Sequence, residues 1–179
     1  MNETLKTIAD RYTCRDFADT PLTEEQIKAL VEAALAAPSA MNLQPWHVVV
    51  VTDKTLIDDM DAAGMGLLAK GNAATYERMM SRGGKLFYNA PCMIYIAADA
   101  TVSHAMDCGI MSQNIALAAH SLGLGSCICG MAGVPLSEEF IQKLQFHPNY
   151  EFSIAVLVGT PKTTKAPHEI DLGKVTYIS

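Results

Sequence analysis

Helices and strands alternate along this chain, a pattern that by itself predicts a layered domain with helices packed on a parallel sheet. Three observations carry that reading. Short apolar runs, most of them rich in β-branched residues, occur at residues 46–52, 92–98, 126–129 and 152–158, with the length and composition of strands. Between them lie stretches whose apolar residues recur at three- and four-residue spacing, as helices require. No linker, internal repeat or low-complexity segment interrupts the series, so residues 1–179 read as one domain. A chain of that length can bury roughly 70% of the surface it exposes when unfolded.

Leu5, Ile8, Ala9 and Tyr12 place a first helix that ends near residues 10–12. In the following Arg11-Tyr12-Thr13-Cys14-Arg15-Asp16-Phe17, two arginines and a hydroxyl occupy alternate positions. Alternate residues of an extended segment point the same way. Arg11, Thr13 and Arg15 then form a claw for a phosphate, because a planar guanidinium binds phosphate oxygens with paired hydrogen bonds. Surface arginines neutralised by Asp10, Asp16 or Asp19 are the other account of the same residues.

Thr23-Glu24-Glu25-Gln26 is a capping box. It opens a second helix with the stripe Ile27, Leu30, Val31, Ala34 and Leu35, which Pro38 stops. Pro38 and Pro45 exclude regular structure between them, so residues 37–46 form an ordered loop carrying Ser39, Asn42, Gln44 and the single tryptophan, Trp46. Side-chain amides both donate and accept, which suits the edge of a heteroaromatic ring. A plain helix-to-strand connection that uses Asn and Ser for turn geometry explains the segment equally well.

Residues 46–52 read as a buried strand, and a helical stretch with Leu56, Ile57, Met60 and Ala63 follows. Residues 64–84, with five glycines and three methionines, read as a mobile helix-loop region, where Met65, Met79 and Met80 either line a pocket or fill core gaps. After the strand at 92–98, residues 104–122 form a helix that is apolar on nearly every side. Such a helix must be covered all round, which suggests one shared between core and dimer interface. Gly123 and Gly125 close this helix and lead into a strand, the reverse of a dinucleotide fingerprint. The strand at 126–129 ends at Gly130 and Gly133, where backbone can approach a flat ligand. A helix begins at Ser137-Glu138-Glu139, and a central strand covers 152–158. Residues 174–178 then read as a lone strand that needs a partner's sheet edge.

The balance of 13 basic against 19 acidic residues, a net charge of −6, argues against a general nucleic-acid or anionic-membrane surface. No apolar run reaches the length of a membrane span, and the first residues lack the form of a signal peptide, so the chain reads as cytoplasmic. The five cysteines are an odd number without an export signal, which argues against a disulfide framework. Cys127 and Cys129, if on a strand, point to one face as small buried hydrophobes; with no second pair or nearby histidine they make no metal site.

Taken in order, R-x-T-x-R-x-F after the first helix, A-P-S-x-x-N-x-Q-P-W after the second, D-x-G-I-x-x-Q-N-I-A-L-A-A at residues 107–119, G-L-G-S at 123–126 and G-T-P at 159–161 resemble the FMN-dependent nitroreductase family over essentially the whole chain. The resemblance implies an α+β fold of three layers, with a central mixed, largely antiparallel sheet flanked by helices. It also implies a C-terminal tail exchanged with the partner subunit and a homodimer with FMN in each of two interfacial sites. Carried over by position, Arg11, Thr13 and Arg15, with the backbone of Tyr12, clamp the phosphate and ribityl chain, and Lys162 or Lys165 completes the phosphate site. Pro38, Ser39, Ala40 and Asn42 come from the second subunit, and Gln44 goes with either group. Ile128, Cys129 and Gly130 lie against the flavin.

The implied chemistry is ping-pong: NADH or NADPH delivers hydride to the flavin, and a small nitroaromatic, quinone, enone or flavin takes it away. A family variant with dehalogenase-type chemistry, and a flavin carrier or sensor without turnover, are the alternatives. A thiol redox protein using Cys127 and Cys129 is a third.

Overall fold

In the computed structural model, which describes residues 1–178, the strands are β1 (Trp46–Val51), β2 (Cys92–Asp99), β3 (Gly125–Cys129) and β4 (Tyr150–Gly159). They form one sheet in the order β1-β2-β4-β3, and all three ladders are antiparallel. The helices are α1 (Glu3–Asp10), α2 (Glu24–Leu35), α3 (Lys54–Gly71), α4 (Ala73–Met80), α5 (Ala105–Ser121) and α6 (Glu138–Leu144).

The parallel sheet suggested by alternation alone is corrected here, and the connections show why. Two helices, α3 and α4, join β1 to β2, so the chain goes out and back and re-enters at the end it left, with Val51 opposite Met93. A single helix, α5, joins β2 to β3, and these two strands do run the same way. β4 is inserted between them and pairs antiparallel with both. Hydrophobic periodicity reports which side chains face inward and is silent on chain direction. Among the described residues the one parallel pairing is an isolated bridge, Thr13 to Ser126.

Strand alternation builds the layers. Cys92, Ile94, Ile96 and Ala98 of β2 face a core completed by Leu30 and Ala34 of α2 and by Met111, Ile115 and Ala119 of α5. Met93 and Tyr95 face the opposite core with Ile57, Met60 and Leu68 of α3 and Phe140 and Leu144 of α6. A fully buried Ile, Leu or Met contributes about 1.5–3 kcal/mol. The expected capping box opens α2, with Gln26 N donating to Thr23 Oγ1 and Thr23 N donating to Gln26 Oε1.

Four expectations change on sight of the fold. β1 is an edge strand and only half-buried between its ends, because one of its sides has no neighbouring strand. Residues 64–84 are mostly helix: α3 runs through Gly64 and Gly66, and a Cβ on Gly64 would lie 2.5 Å from Leu86 Cδ2. That glycine admits a close neighbour rather than breaking the helix. Gly133 has a similar reason, since its Cβ would meet the Phe152 ring at 2.7 Å, so packing and not a flat ligand explains it. Leu35, placed in the inward stripe of α2, is 52% exposed. The tail makes a short turn at Leu172–Lys174 and is extended at Val175, without a ladder inside the chain.

Candidate functional site

The segment after α1 is stitched between two strands. Thr13 bridges Ser126 of β3, Cys14 N donates to Ser126 O at 2.8 Å, and Ala18 N donates to Thr160 O at 2.8 Å beyond β4. Tyr12 packs against the core and Cys14 is buried in it, while Arg11 and Thr13 are half-buried and Arg15 is exposed. Alternation therefore turns the arginines and the hydroxyl away from the core, as the spacing predicts. The Tyr12 hydroxyl donates to Thr163 O at 3.2 Å, which ties the start of the tail to this segment.

Arg15 stands at the junction of two clefts. One, of about 200 Å³, is lined by Arg15, Arg78, Met79, Arg82, Tyr88 and the run 127–131. The other, of about 240 Å³, is lined by Arg15, Arg82 and Lys165. Larger open grooves lie along β1 and between α1, α2 and α5, but neither gathers a comparable set of cations. The chain has four arginines, and among the described residues none of them pairs with a carboxylate. In a chain of net charge −6, unpaired guanidinium groups converging on one cleft form a local anion site.

Of the expected residues, Arg15, Ile128, Cys129 and Gly130 share the first cleft, and Lys165 joins Arg15 in the second. Lys162 sits elsewhere, 3.8 Å from Asp16 Oδ1. Arg11 and Thr13 line neither cleft. Arg78 and Arg82 escaped the sequence reading, although their spacing, one turn apart at the end of α4, was open to view.

Pro38, Ser39, Ala40, Asn42 and Gln44 line neither cleft. Their loop is held from below: Ala40 N donates to Oδ1 of buried Asp107 on α5 at 3.2 Å, and Gln44 N donates to Ser39 Oγ at 2.9 Å. Gln44 Nε2 donates to Asn42 Oδ1 at 3.1 Å, and both residues are exposed. Met41, Asn42 and Gln44 have φ of 51°, 56° and 47°. Left-handed non-glycine backbone costs about 1–2 kcal/mol per residue, and such strain gathers at ligand-binding segments.

Cys127 and Cys129 face the core together while Ile128 is 39% exposed, as expected for alternation on a strand. Burial pushes the Cys127 thiol up to about 12 despite the positive charges of Arg15 and Arg82. Burial also raises Cys129, against the lowering effect of the Ala132 and Met131 amides. All five cysteines are unpaired and buried, and among the described residues no group of three metal-ligating side chains occurs. Burial thus favours the neutral thiol at Cys129, the form that is a poor nucleophile.

Together, the antiparallel sheet between two helical layers and the cationic cleft along β3 define an α+β protein with an anion site at the sheet edge. Residues 8–160 match the family model described as the nitroreductase family, and the chain belongs to that family. A Desulfitobacterium hafniense nitroreductase solved with bound FMN is 46% identical, superposes with a TM-score of 0.97 and covers 100% of both chains. An FMN-dependent nitroreductase from Clostridium difficile is 25% identical with a TM-score of 0.86, covering 99% of each chain. The Bacillus subtilis FMN reductase [NAD(P)H] is 28% identical over 100% of this chain and 76% of its own length.

Proposed function

We propose that this chain is an FMN-dependent oxidoreductase that uses NADH or NADPH to reduce small aromatic or conjugated acceptors, among them nitroaromatics, quinones, enones and flavins. The observation that carries the reading is the meeting of Arg15, Arg82 and Lys165, without acidic partners among the described residues, beside exposed Ile128 and Gly130. The donor set fits FMN. Three cations answer a phosphate dianion, and a cleft edged by strand backbone and Met131 answers a flat ring that needs both apolar contact and amide donors.

In this reading Arg15, Arg82 and Lys165 hold the phosphate, and Arg11 and Thr13 add donors along the ribityl chain with the backbone of Tyr12. Ile128, Cys129 and Gly130 support the ring. FMN held there would supply the hydride-transfer chemistry between nicotinamide and acceptor. The protein supplies no nucleophile; its part is to anchor the phosphate, favour negative charge on the reduced ring and leave one ring face open.

We further propose that all of 1–179 works as one domain and that the chain is a homodimer. In that dimer, the loop carrying Pro38, Ser39, Ala40, Asn42 and Gln44 covers the FMN held by a second copy, and the tail exchanges between copies. The support is apolar surface with no cover in one chain: Leu35 at 52%, Met106 at 80%, Ile170 at 78% and Ile178 at 95% exposure. Five unpaired thiols favour a reducing compartment, in keeping with the cytoplasm. Among the described residues no helix is long and apolar enough to cross a membrane.

The test is an absorption spectrum of the purified protein, with the released cofactor identified. Anaerobic NADH or NADPH should bleach the yellow colour, and a nitroaromatic or quinone should restore it. A colourless protein that takes up no added FMN overturns the proposal; bleaching without restoration leaves a carrier rather than an enzyme.

A further inference from the structure

The two clefts share Arg15 and Arg82 but not Arg78. Arg15, Arg82 and Lys165 around the cleft they share with no other side chain already exceed the charge of one phosphate dianion. Arg78 lines only the other cleft, with Met79, Tyr88, Ile128 and Met131. It lies in the last turn of α4, one turn before Arg82, and is exposed. Its guanidinium donates to Thr75 Oγ1 at 3.4 Å, the long end of a hydrogen bond. Among the described residues no carboxylate lies within ion-pair reach of it. A cation beside apolar and aromatic side chains, not engaged by the protein's own acids, is placed to read one charged substituent on a largely apolar ligand.

We propose that Arg78 binds an anionic substituent, a carboxylate or a phosphate ester, on the substrate that enters the cleft beside Ile128 and Met131, and so sets the enzyme's preference for charged over neutral substrates. This rests on the flavin site proposed above. The anion belongs either to the acceptor or to the donor, where NADPH carries one phosphate more than NADH. A charge-assisted hydrogen bond of this kind changes binding by about tenfold or more when its donor is neutralised.

The experiment compares the FMN-loaded protein with its Arg78→Gln variant. First, the flavin content of the variant and its turnover of a neutral quinone with NADH as donor should match the unmodified protein; these two readings test the flavin site itself, independently of the anion that Arg78 binds. Second, kcat/KM is measured for 4-nitrobenzoate against nitrobenzene and for NADPH against NADH, and benzoate binding to the loaded protein is followed by calorimetry. A roughly tenfold loss for 4-nitrobenzoate, with benzoate weakened alike and nitrobenzene unchanged, places the anion on the acceptor. A like loss for NADPH with NADH unchanged places it on the donor. Ratios that stay as they were, equal losses for charged and neutral compounds, or loss of FMN from the variant each overturn the assignment. Arg78→Lys keeps the charge but not the planar fork and should recover part of the preference.

Discussion

Replacing Gly125 by alanine should loosen the fold and the flavin site together. A Cβ at this first residue of β3 would lie 2.8 Å from both Cβ and Sγ of Cys14, and 3.3 Å from Pro161 Cβ. Cys14 Cβ is fixed to the backbone, so no rotamer change relieves the contact. To restore an ordinary 3.4 Å separation, the segment carrying Arg15 must retreat by roughly 0.6 Å. The adjoining hydrogen bond from Cys14 N to Ser126 O, now 2.8 Å, would stretch toward the limit of useful geometry. Overpacking of this kind costs about 1–3 kcal/mol, which for a chain of this size lowers Tm by roughly 2–4 °C per kcal/mol. Urea unfolding of the flavin-free protein measures the first effect and FMN titration the second. Gly66→Ala is the control: nothing lies within 4 Å of its Cβ on α3, so it should stabilise by about 0.5–1 kcal/mol and leave FMN affinity alone. If Gly125→Ala unfolds at the unmodified protein's midpoint and binds FMN as tightly, the stitching of the Arg15 segment to β3 does not position the site.

Three further outcomes are expected. Asp61, 4% exposed, accepts from Phe87 N at 2.6 Å, and burial raises its pKa in spite of that bond and of Lys85. The folded chain therefore keeps this proton longer than the unfolded one, and stability falls as pH rises from the ordinary carboxylate value of about 3.9 through the raised one. Stability curves across that window should flatten in Asp61→Asn; an unchanged slope would rule Asp61 out as its source. The buried thiols should react slowly with an aromatic disulfide reagent at pH 8 and quickly in urea, and Cys129→Ser should retain turnover; abolished turnover with flavin still bound would revive the thiol-redox reading. Deleting the chain from Asp171 onward removes Leu172, Val175, Tyr177 and Ile178, all exposed within one chain, and should weaken the dimer in sedimentation at low concentration; an unaffected dimer would end the exchanged-tail proposal.

The positions of the strands were legible because a sheet interior demands β-branched and apolar residues, and Ile94, Ile96, Val156 and Val158 meet that demand directly. Their direction was not, since it depends on whether one helix or two separate a pair, and on which strand is inserted last. The cationic cleft was legible at Arg15, where alternation within one short segment turns it away from Cys14. Arg78 and Arg82 were not, because their meaning comes from β3, far along the chain, which forms the other wall of their cleft. The glycines of α3 misled for a physical reason: a glycine that admits a neighbour such as Leu86 and a glycine that ends a helix look the same in sequence.

The insertion of β4 between β2 and β3 also bears on how the protein reaches this state. Ile94 and Val156 sit opposite each other at the middle of the sheet, yet α5, β3 and α6 are all made between them. Until the last of the four strands has been synthesised, β2 has only β1 beside it and β3 has no strand neighbour, and the closure entropy of that long excursion precedes any gain from the two inner ladders. Refolding from denaturant should therefore lag well behind that of a helical bundle of equal length, and a ribosome-bound chain halted before Tyr150 should lack a protease-resistant core.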